Sequence, residues 1–216
     1  MKVREKMSVN PTTISPDTTV AEAFQLMREK AVRRLPVMKK EKLVGIVTLN
    51  ELSKVSPSPA TSLSIFEINY LLTKARIKDI IPKHMKVITI EANANIEKAA
   101  ILMRENKIGG IPVMDNGKLV GIITETDIFD AFIDILGVNR PGTRIDLEVD
   151  ERVGLASQIT SVVAQHGMAI ENLVLVEKDP QPIFELIIRV ASKDTEDLVQ
   201  DLKNKGFKVL DVITKG

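Results

Sequence analysis

Apolar residues recur along the first two thirds of the chain in a fixed order of periods, and that order occurs twice. Val20, Ala23, Phe24 and Met27 fall at i, i+3, i+4, i+7 spacing behind a Thr19/Glu22 capping pattern, which predicts an amphipathic helix. Ahead of it stands a short β-prone piece, Thr12-Thr13-Ile14, punctuated by Pro11 and Pro16. Residues 33–38 read as a strand carrying Pro36, the charged Lys39-Lys40-Glu41-Lys42 as a hairpin turn, and residues 43–48 as its return strand. A second helix begins near Asn50. Further on, Ile96, Ala99, Ala100 and Met103 repeat the helical stripe, Pro112-Val113-Met114 repeats Pro36-Val37-Met38, and Asp115-Asn116-Gly117-Lys118 is a stronger turn signal than its counterpart. Ile128, Phe129, Phe132, Ile133 and Leu136 carry the last helix of this half to Gly137, and Pro141-Gly142 ends it.

The two copies also share their openings. Ile77-Lys78-Asp79-Ile80-Ile81 corresponds to Val3-Arg4-Glu5-Lys6-Met7, and residues 87–90 correspond to the earlier β-prone piece. Between the copies, Ser56-Pro57-Ser58-Pro59 interrupts regular helix, and Ser64 with Glu67 then caps Ile65, Ile68, Leu71 and Leu72. A short inserted helix is expected, either covering the junction of the repeats or serving as a dimer contact.

After Gly142 the periods change. Residues 143–149 alternate as a strand, 154–165 are helical with Leu155, Ile159, Val162 and Val163 on one side, and 169–176 form a second strand. Asp179-Pro180-Gln181-Pro182 is a turn, 183–190 a third strand, 195–205 a helix ending at Gly206, and 208–213 a last strand. The expected order is β-α-β-β-α-β, a ferredoxin-like sandwich. The fold class is therefore α+β. Its expected divisions are residues 1–62 and 77–137 for the repeats, 63–76 for the inserted helix, 138–142 for a linker and 143–216 for the C-terminal domain.

Candidate chemistry sits where each return strand meets the following helix. Gly45, Thr48 and Glu51 precede Gly121, Thr124 and Asp127 by 76 residues each. A hydroxyl and a carboxylate at a strand-to-helix junction can serve a ligand, since helix N-termini favour anions and a carboxylate can accept from a sugar diol. Ordinary helix capping accounts for the same residues taken singly. Their duplication favours a paired site.

Composition narrows the alternatives. Thirty Lys and Arg nearly cancel 29 Asp and Glu, so no global field draws in nucleic acid or an anionic membrane, and any anion site must be local. With one Tyr, no Trp and no basic stripe, a nucleic-acid reader is not indicated. The absence of Cys removes disulfides and thiolate chemistry, and no apolar run reaches membrane-spanning length. A cytoplasmic protein is expected. His84 and His166 stand in different domains without metal-ligand spacing, and no Walker loop or Ser-His-acid pattern occurs, so neither catalysis nor a metal site is expected.

The leading Val3-Arg4-Glu5-Lys6-Met7, the Leu35-Pro36-Val37 and Ile111-Pro112-Val113 strands, and the two Leu-Val-Gly-Ile-x-Thr closes resemble a tandem pair of cystathionine-β-synthase (CBS) domains, a Bateman module. The resemblance implies two repeats packed about a pseudo-two-fold axis, with clefts for an adenosine-containing ligand such as AMP, ADP, ATP or S-adenosylmethionine. It implies Asp127 on the ribose, Thr124 and Thr126 as hydroxyl contacts, and Val87, Thr89, Ile90 and Val113 around the base. Glu51 with Thr48 would form a weaker counterpart. Arg33 and Arg34 would meet phosphate, while Gly109 and Gly110, at the same places in repeat two, would let a ligand approach the backbone.

Glu151-Arg152-Val153-Gly154-Leu155 and His166-Gly167-Met168-Ala169-Ile170 resemble the amino-acid-sensing ACT domain, implying Arg152 and Gly154 as candidate ligand contacts. Val153 stands where that family usually has Pro. The whole arrangement is similar to the AcuB proteins of acetoin utilisation. The expected role is a non-catalytic, ligand-sensing regulator, acting as a homodimer or on a regulated enzyme. A structural oligomerisation module and a nucleotide-processing enzyme are the alternatives.

Overall fold

A computed structural model describes residues 1–55, 64, 66–67, 73–82, 86–150, 152–178 and 183–216. The chain divides into two compact units, Met1–Ala131 and Phe132–Gly216. Most of the inserted helix, His84, Glu151 and the turn at Asp179 to Pro182 lie outside the described residues.

In the first unit each repeat builds a hairpin flanked by helices. Repeat one comprises β1 (Ser8–Val9), α1 (Val20–Glu29), β2 (Arg34–Lys39), β3 (Lys42–Thr48) and α2 (Leu49–Val55). Repeat two comprises α3 (Ile77–Ile80), β4 (Ile90–Glu91), α4 (Ile96–Asn106), β5 (Gly110–Asp115), β6 (Lys118–Thr124) and α5 (Glu125–Ile135). The expected capping of α1 is present: Thr19 Oγ1 accepts from the Glu22 amide at 3.2 Å, while the Glu22 carboxylate accepts from the Thr19 amide at 2.7 Å. The hairpins β2–β3 and β5–β6 are antiparallel with matching registers, Val37 opposite Gly45 and Val113 opposite Gly121. Both have their register shift just after that pair, between Val37 and Met38 and between Val113 and Met114.

The repeats exchange their leading segments. Val3, in a one-turn 3-10 helix, is fully buried in the core formed by Ile96, Ile111, Ile123 and Ile128 of repeat two. Its amide donates to the Ala94 carbonyl at 2.9 Å, and β1 pairs with β6, Ser8 opposite Ile122. Reciprocally, Ile77 is buried in the core of repeat one with Leu35, Val37, Val47 and Leu52, and its amide donates to the Thr18 carbonyl at 2.9 Å. Neither core is complete without a segment of the other repeat. The driving force is burial of these aliphatic side chains, worth about 1.5–3 kcal/mol for each Val or Ile fully buried.

The second unit runs β7 (Gly142–Val149), α6 (Leu155–Gln165), β8 (Ile170–Lys178), β9 (Ile183–Val190), α7 (Glu196–Asn204) and β10 (Lys208–Lys215). The strands form one antiparallel sheet in the order β10-β7-β9-β8. Alternation along β7 sends Ile145, Leu147 and Val149 into a core shared with Ile159 and Val163 of α6 and Leu198 and Leu202 of α7. On the other face Arg144 grips Asp146 through two hydrogen bonds of 2.7 and 2.8 Å.

Candidate functional site

The strand-to-helix junctions of the two repeats adopt the same local geometry. At the start of α2 the Glu51 carboxylate accepts from the Thr48 amide at 2.8 Å and the Thr48 hydroxyl at 3.0 Å. At the start of α5 the Asp127 carboxylate accepts from the Thr124 amide at 2.7 Å and the Thr124 hydroxyl at 2.8 Å. Each thus satisfies an unpaired donor at a helix start, the capping role open from sequence. In each case these bonds engage one carboxylate oxygen, Glu51 Oε2 or Asp127 Oδ2, leaving Oε1 and Oδ1 without a hydrogen bond among the described residues. The extra methylene of Glu51 does not prevent it from making both contacts that Asp127 makes.

A cleft of ≈ 800 Å³ in the first unit is lined by residues of both repeats. Thr48, Leu49 and Glu51 line it from repeat one, and Val87, Ile88 and Pro112 supply apolar surface from repeat two. Arg33, Arg34, Lys54, Lys86 and Lys107 also line it, against the single acid Glu51. A second concavity of ≈ 620 Å³ beside α1 carries Glu22 and Glu29 with no basic side chain in its lining, and is the poorer seat for an anion.

The grouping of residues differs from the one expected within repeat two. Val87 shares the cleft of Thr48 and Glu51, whereas Thr124 and Asp127 are outside that lining. Val87 and Ile88 lead into β4, which pairs with β5 of repeat two, so they line the cleft as part of repeat two together with Lys107, Gly109, Gly110 and Pro112, and the cleft faces Thr48 and Glu51 of repeat one. Val113 is fully buried and Ile90 nearly so, paired with each other across β4 and β5 in the core of repeat two and outside the cleft lining. Thr89 and Thr126 are exposed.

Arg34 occupies the space that the glycine pair had suggested for a ligand. A Cβ on Gly110 would stand 2.9 Å from Arg34 Cδ and 3.1 Å from Nε. A Cβ on Gly109 would meet Arg34 Nη2, and Glu125 Oε2 at 2.7 Å. The Arg34 side chain therefore crosses from repeat one and lies along the Gly109-Gly110 backbone, its guanidinium close to Glu125. Small residues in repeat two make room for a large one in repeat one.

Lys54, Lys86 and Lys107 were not singled out in the sequence, and no linear spacing joins them. Lys107, the C-cap of α4, has left-handed backbone at φ 53°, and Ala31, 76 residues earlier and one residue past the C-cap of α1, has φ 52°.

In the second unit Gly154 is the N-cap of α6 at φ 84°, a conformation that favours glycine, and Arg152 Nη2 donates to Gln158 Oε1 at 2.9 Å. His166 Nε2 lies 3.3 Å from Asp201 Oδ2, an interaction between α6 and α7. Among the described residues no helix is long and apolar enough to cross a membrane.

Residues 3–58 and 77–134 each match the CBS domain family. A CBS domain-containing protein of Dictyostelium discoideum is 32% identical over 136 residues, covering 62% of this chain and 92% of its own length. Inosine-5'-monophosphate dehydrogenase of Thermoplasma acidophilum is 35% identical over 192 residues, 88% of this chain, which spans only 33% of that enzyme. Among solved structures, CBSX2 in complex with AMP has 29% identity and TM-score 0.50, over 62% of this chain and 97% of that one. A putative acetoin utilisation protein (AcuB) from Vibrio cholerae has 27% identity and TM-score 0.51, over 64% and 95% of the respective chains. The CBS pair of MJ0100, in complex with methylthioadenosine and S-adenosylmethionine, has 28% identity and TM-score 0.50, over 61% and 99%. With two matching segments spanning more than half of its length, the chain belongs to the CBS domain family and carries two such domains in tandem.

Proposed function

We propose that this protein is a non-catalytic regulator whose CBS pair binds an adenosine-containing ligand, AMP, ADP, ATP or S-adenosylmethionine, between its repeats. The observation that carries the reading is the cleft that unites Thr48 and Glu51 with Val87, Ile88 and a cluster of cations. Its volume suits a nucleotide. Glu51, with one oxygen tied to Thr48 and the other uncommitted, is placed to accept from ribose hydroxyls, Val87 and Ile88 to pack on adenine, and Arg33 and Arg34 to meet phosphate. The same chemistry at Thr124, Thr126 and Asp127 defines a second seat related by the repeat. The bound adenosine compounds of CBSX2 and MJ0100 support this choice of ligand class.

The second unit, with the order β-α-β-β-α-β, serves in this reading as a ferredoxin-like, ACT-type module over residues 143–216, with Arg152 and Gly154 as its candidate ligand contacts. Ligand binding to one arrangement of the CBS repeats better than another shifts the population, and the second unit or a homodimer mate passes this to a regulated partner in the cytoplasm. The likeness to the Vibrio AcuB structure supports a connection with acetoin utilisation. Hydrogen-exchange mapping with and without saturating AMP and ATP tests the site. Added protection at Thr48, Glu51, Val87 and Ile88 is the expected result, and unchanged exchange throughout the first unit in both nucleotides overturns the proposal.

A further inference from the structure

The cleft differs from a generic adenosine site in its charge. Arg33, Arg34, Lys54, Lys86 and Lys107 line it, and none makes an ion pair with another described residue. Glu51 is the one acid in the lining, in a chain whose formal net charge is only +1. Cations gathered from four separate segments of the chain raise the local potential far above that of the surface as a whole. An uncharged nucleoside gains nothing from this field, a sulfonium ligand is disfavoured by it, and each added phosphate is attracted more strongly.

A second observation concerns the acid nearest to Arg34. Glu125 opens α5, with its amide donating to the Gly109 carbonyl at 3.2 Å. Its carboxylate and the Arg34 guanidinium flank the same point above Gly109, so the two charges attract without a direct hydrogen bond. The residue 76 places earlier, Leu49, is apolar, so the acid stands on one side of the pseudo-symmetric pair alone. A phosphate in the cleft draws on the same guanidinium.

We propose that the cleft selects nucleotides by phosphate charge, taking a nucleoside triphosphate in preference to a monophosphate, and that Glu125 sets this selectivity by competing with ligand phosphate for Arg34. The proposal rests on the adenosine-ligand reading above. Glu125 is a positioning residue here: it acts through Arg34.

Isothermal titration of the full chain with adenosine, AMP, ADP, ATP, S-adenosylmethionine and inorganic tripolyphosphate, at one fixed ionic strength, tests it. Affinity is expected to rise with each phosphate and to fall with added salt. Glu125→Gln is expected to tighten ATP binding by about three- to tenfold while leaving adenosine unchanged, and Glu125→Asp to restore the wild-type pattern. Arg34→Gln, on the cleft wall, flattens the series and provides a second reading if Glu125→Gln does not fold. Unchanged ATP affinity in a folded Glu125→Gln protein overturns the proposal, as does adenosine or S-adenosylmethionine binding as tightly as ATP. Tripolyphosphate binding as tightly as ATP upholds charge selection and removes the adenosine reading instead. If none of the compounds binds, both fail.

Discussion

Gly45 and Gly121 occupy the same place in the two repeats, yet replacing them with Ala should have different effects, because different atoms cross over from the opposite repeat. A Cβ on Gly121 would stand 2.5 Å from Met7 Sδ, 2.9 Å from the Ser8 carbonyl oxygen and 3.0 Å from Met7 Cγ. Met7 can rotate, but the Ser8 carbonyl belongs to β1, so relief requires β1 to move away from β6. On Gly45 the closest atom is Ile81 Cδ1 at 3.1 Å, the far end of a flexible side chain, with Val37 Cβ next at 3.6 Å. Overpacking of a core typically costs about 1–3 kcal/mol, while Gly→Ala at an unstrained site returns about 0.4–1 kcal/mol through the unfolded chain. Gly45→Ala should therefore be close to neutral and Gly121→Ala destabilising by about 1–2 kcal/mol. Urea unfolding followed by circular dichroism reads the totals, and native-state hydrogen exchange reads the location. The Asn10 amide, which donates to the Val120 carbonyl at 3.1 Å, should lose protection in Gly121→Ala alone. Equal costs at the two sites, or a neutral Gly121→Ala with Asn10 still protected, would refute the exchanged packing of the leading segments.

Further outcomes follow from the caps and ion pairs. Thr124→Val removes the hydroxyl bond to Asp127 and leaves the bond from the Thr124 amide, and should cost about 1 kcal/mol in thermal unfolding without any ligand present. The Glu22 carboxyl is held below its ordinary value of 4.5 by hydrogen bonds from the Thr19 backbone and hydroxyl. Its contribution is therefore present above that value and lost as pH falls through the lowered one, so Glu22→Gln should flatten the acid limb of a melting-temperature profile run from about pH 7 to about pH 3. Asp146→Ala leaves the half-buried Arg144 without its two-point partner and should cost about 2 kcal/mol, less than the ~3–5 kcal/mol of a fully buried pair, because Arg144 can reach water. An Arg144→Met, Asp146→Ala double variant should recover part of that loss in denaturant unfolding.

Local structure was legible in the sequence, and long-range partnership was not. The helical stripe at Val20, Ala23 and Met27, the capping pattern of Thr19 with Glu22, and the hairpins at Pro36 and Pro112 depend on neighbours within a few residues, and each appears at its expected place. The 76-residue repeat likewise exposed Thr48 and Glu51 against Thr124 and Asp127. What spacing cannot encode is which repeat a leading segment completes. Val3 and Ile77 are apolar in either arrangement, and only packing shows that each belongs to the other core. Val87 shares its cleft with Glu51 and not with Asp127 because that cleft is lined by both repeats, which no spacing within repeat two encodes. Gly109 and Gly110 suggested ligand access to the backbone, and in the structure the Arg34 side chain lies there. Lys54, Lys86 and Lys107 converge only once the two repeats are packed together.

Thermal unfolding of wild type and Glu51→Ala against AMP, ADP, ATP and S-adenosylmethionine reports whether the cleft lined by both repeats holds an adenosine-containing ligand. A ligand present at about 100 times its dissociation constant adds about 2.7 kcal/mol to the stability of the native state. Glu51→Ala lowers the unliganded midpoint through its lost cap, so the quantity compared is the increment each ligand produces. A raised midpoint in wild type for at least one of the four, and a smaller increment in Glu51→Ala, is the expected result. A wild-type midpoint that none of the four moves, or an increment that Glu51→Ala retains in full, contradicts it.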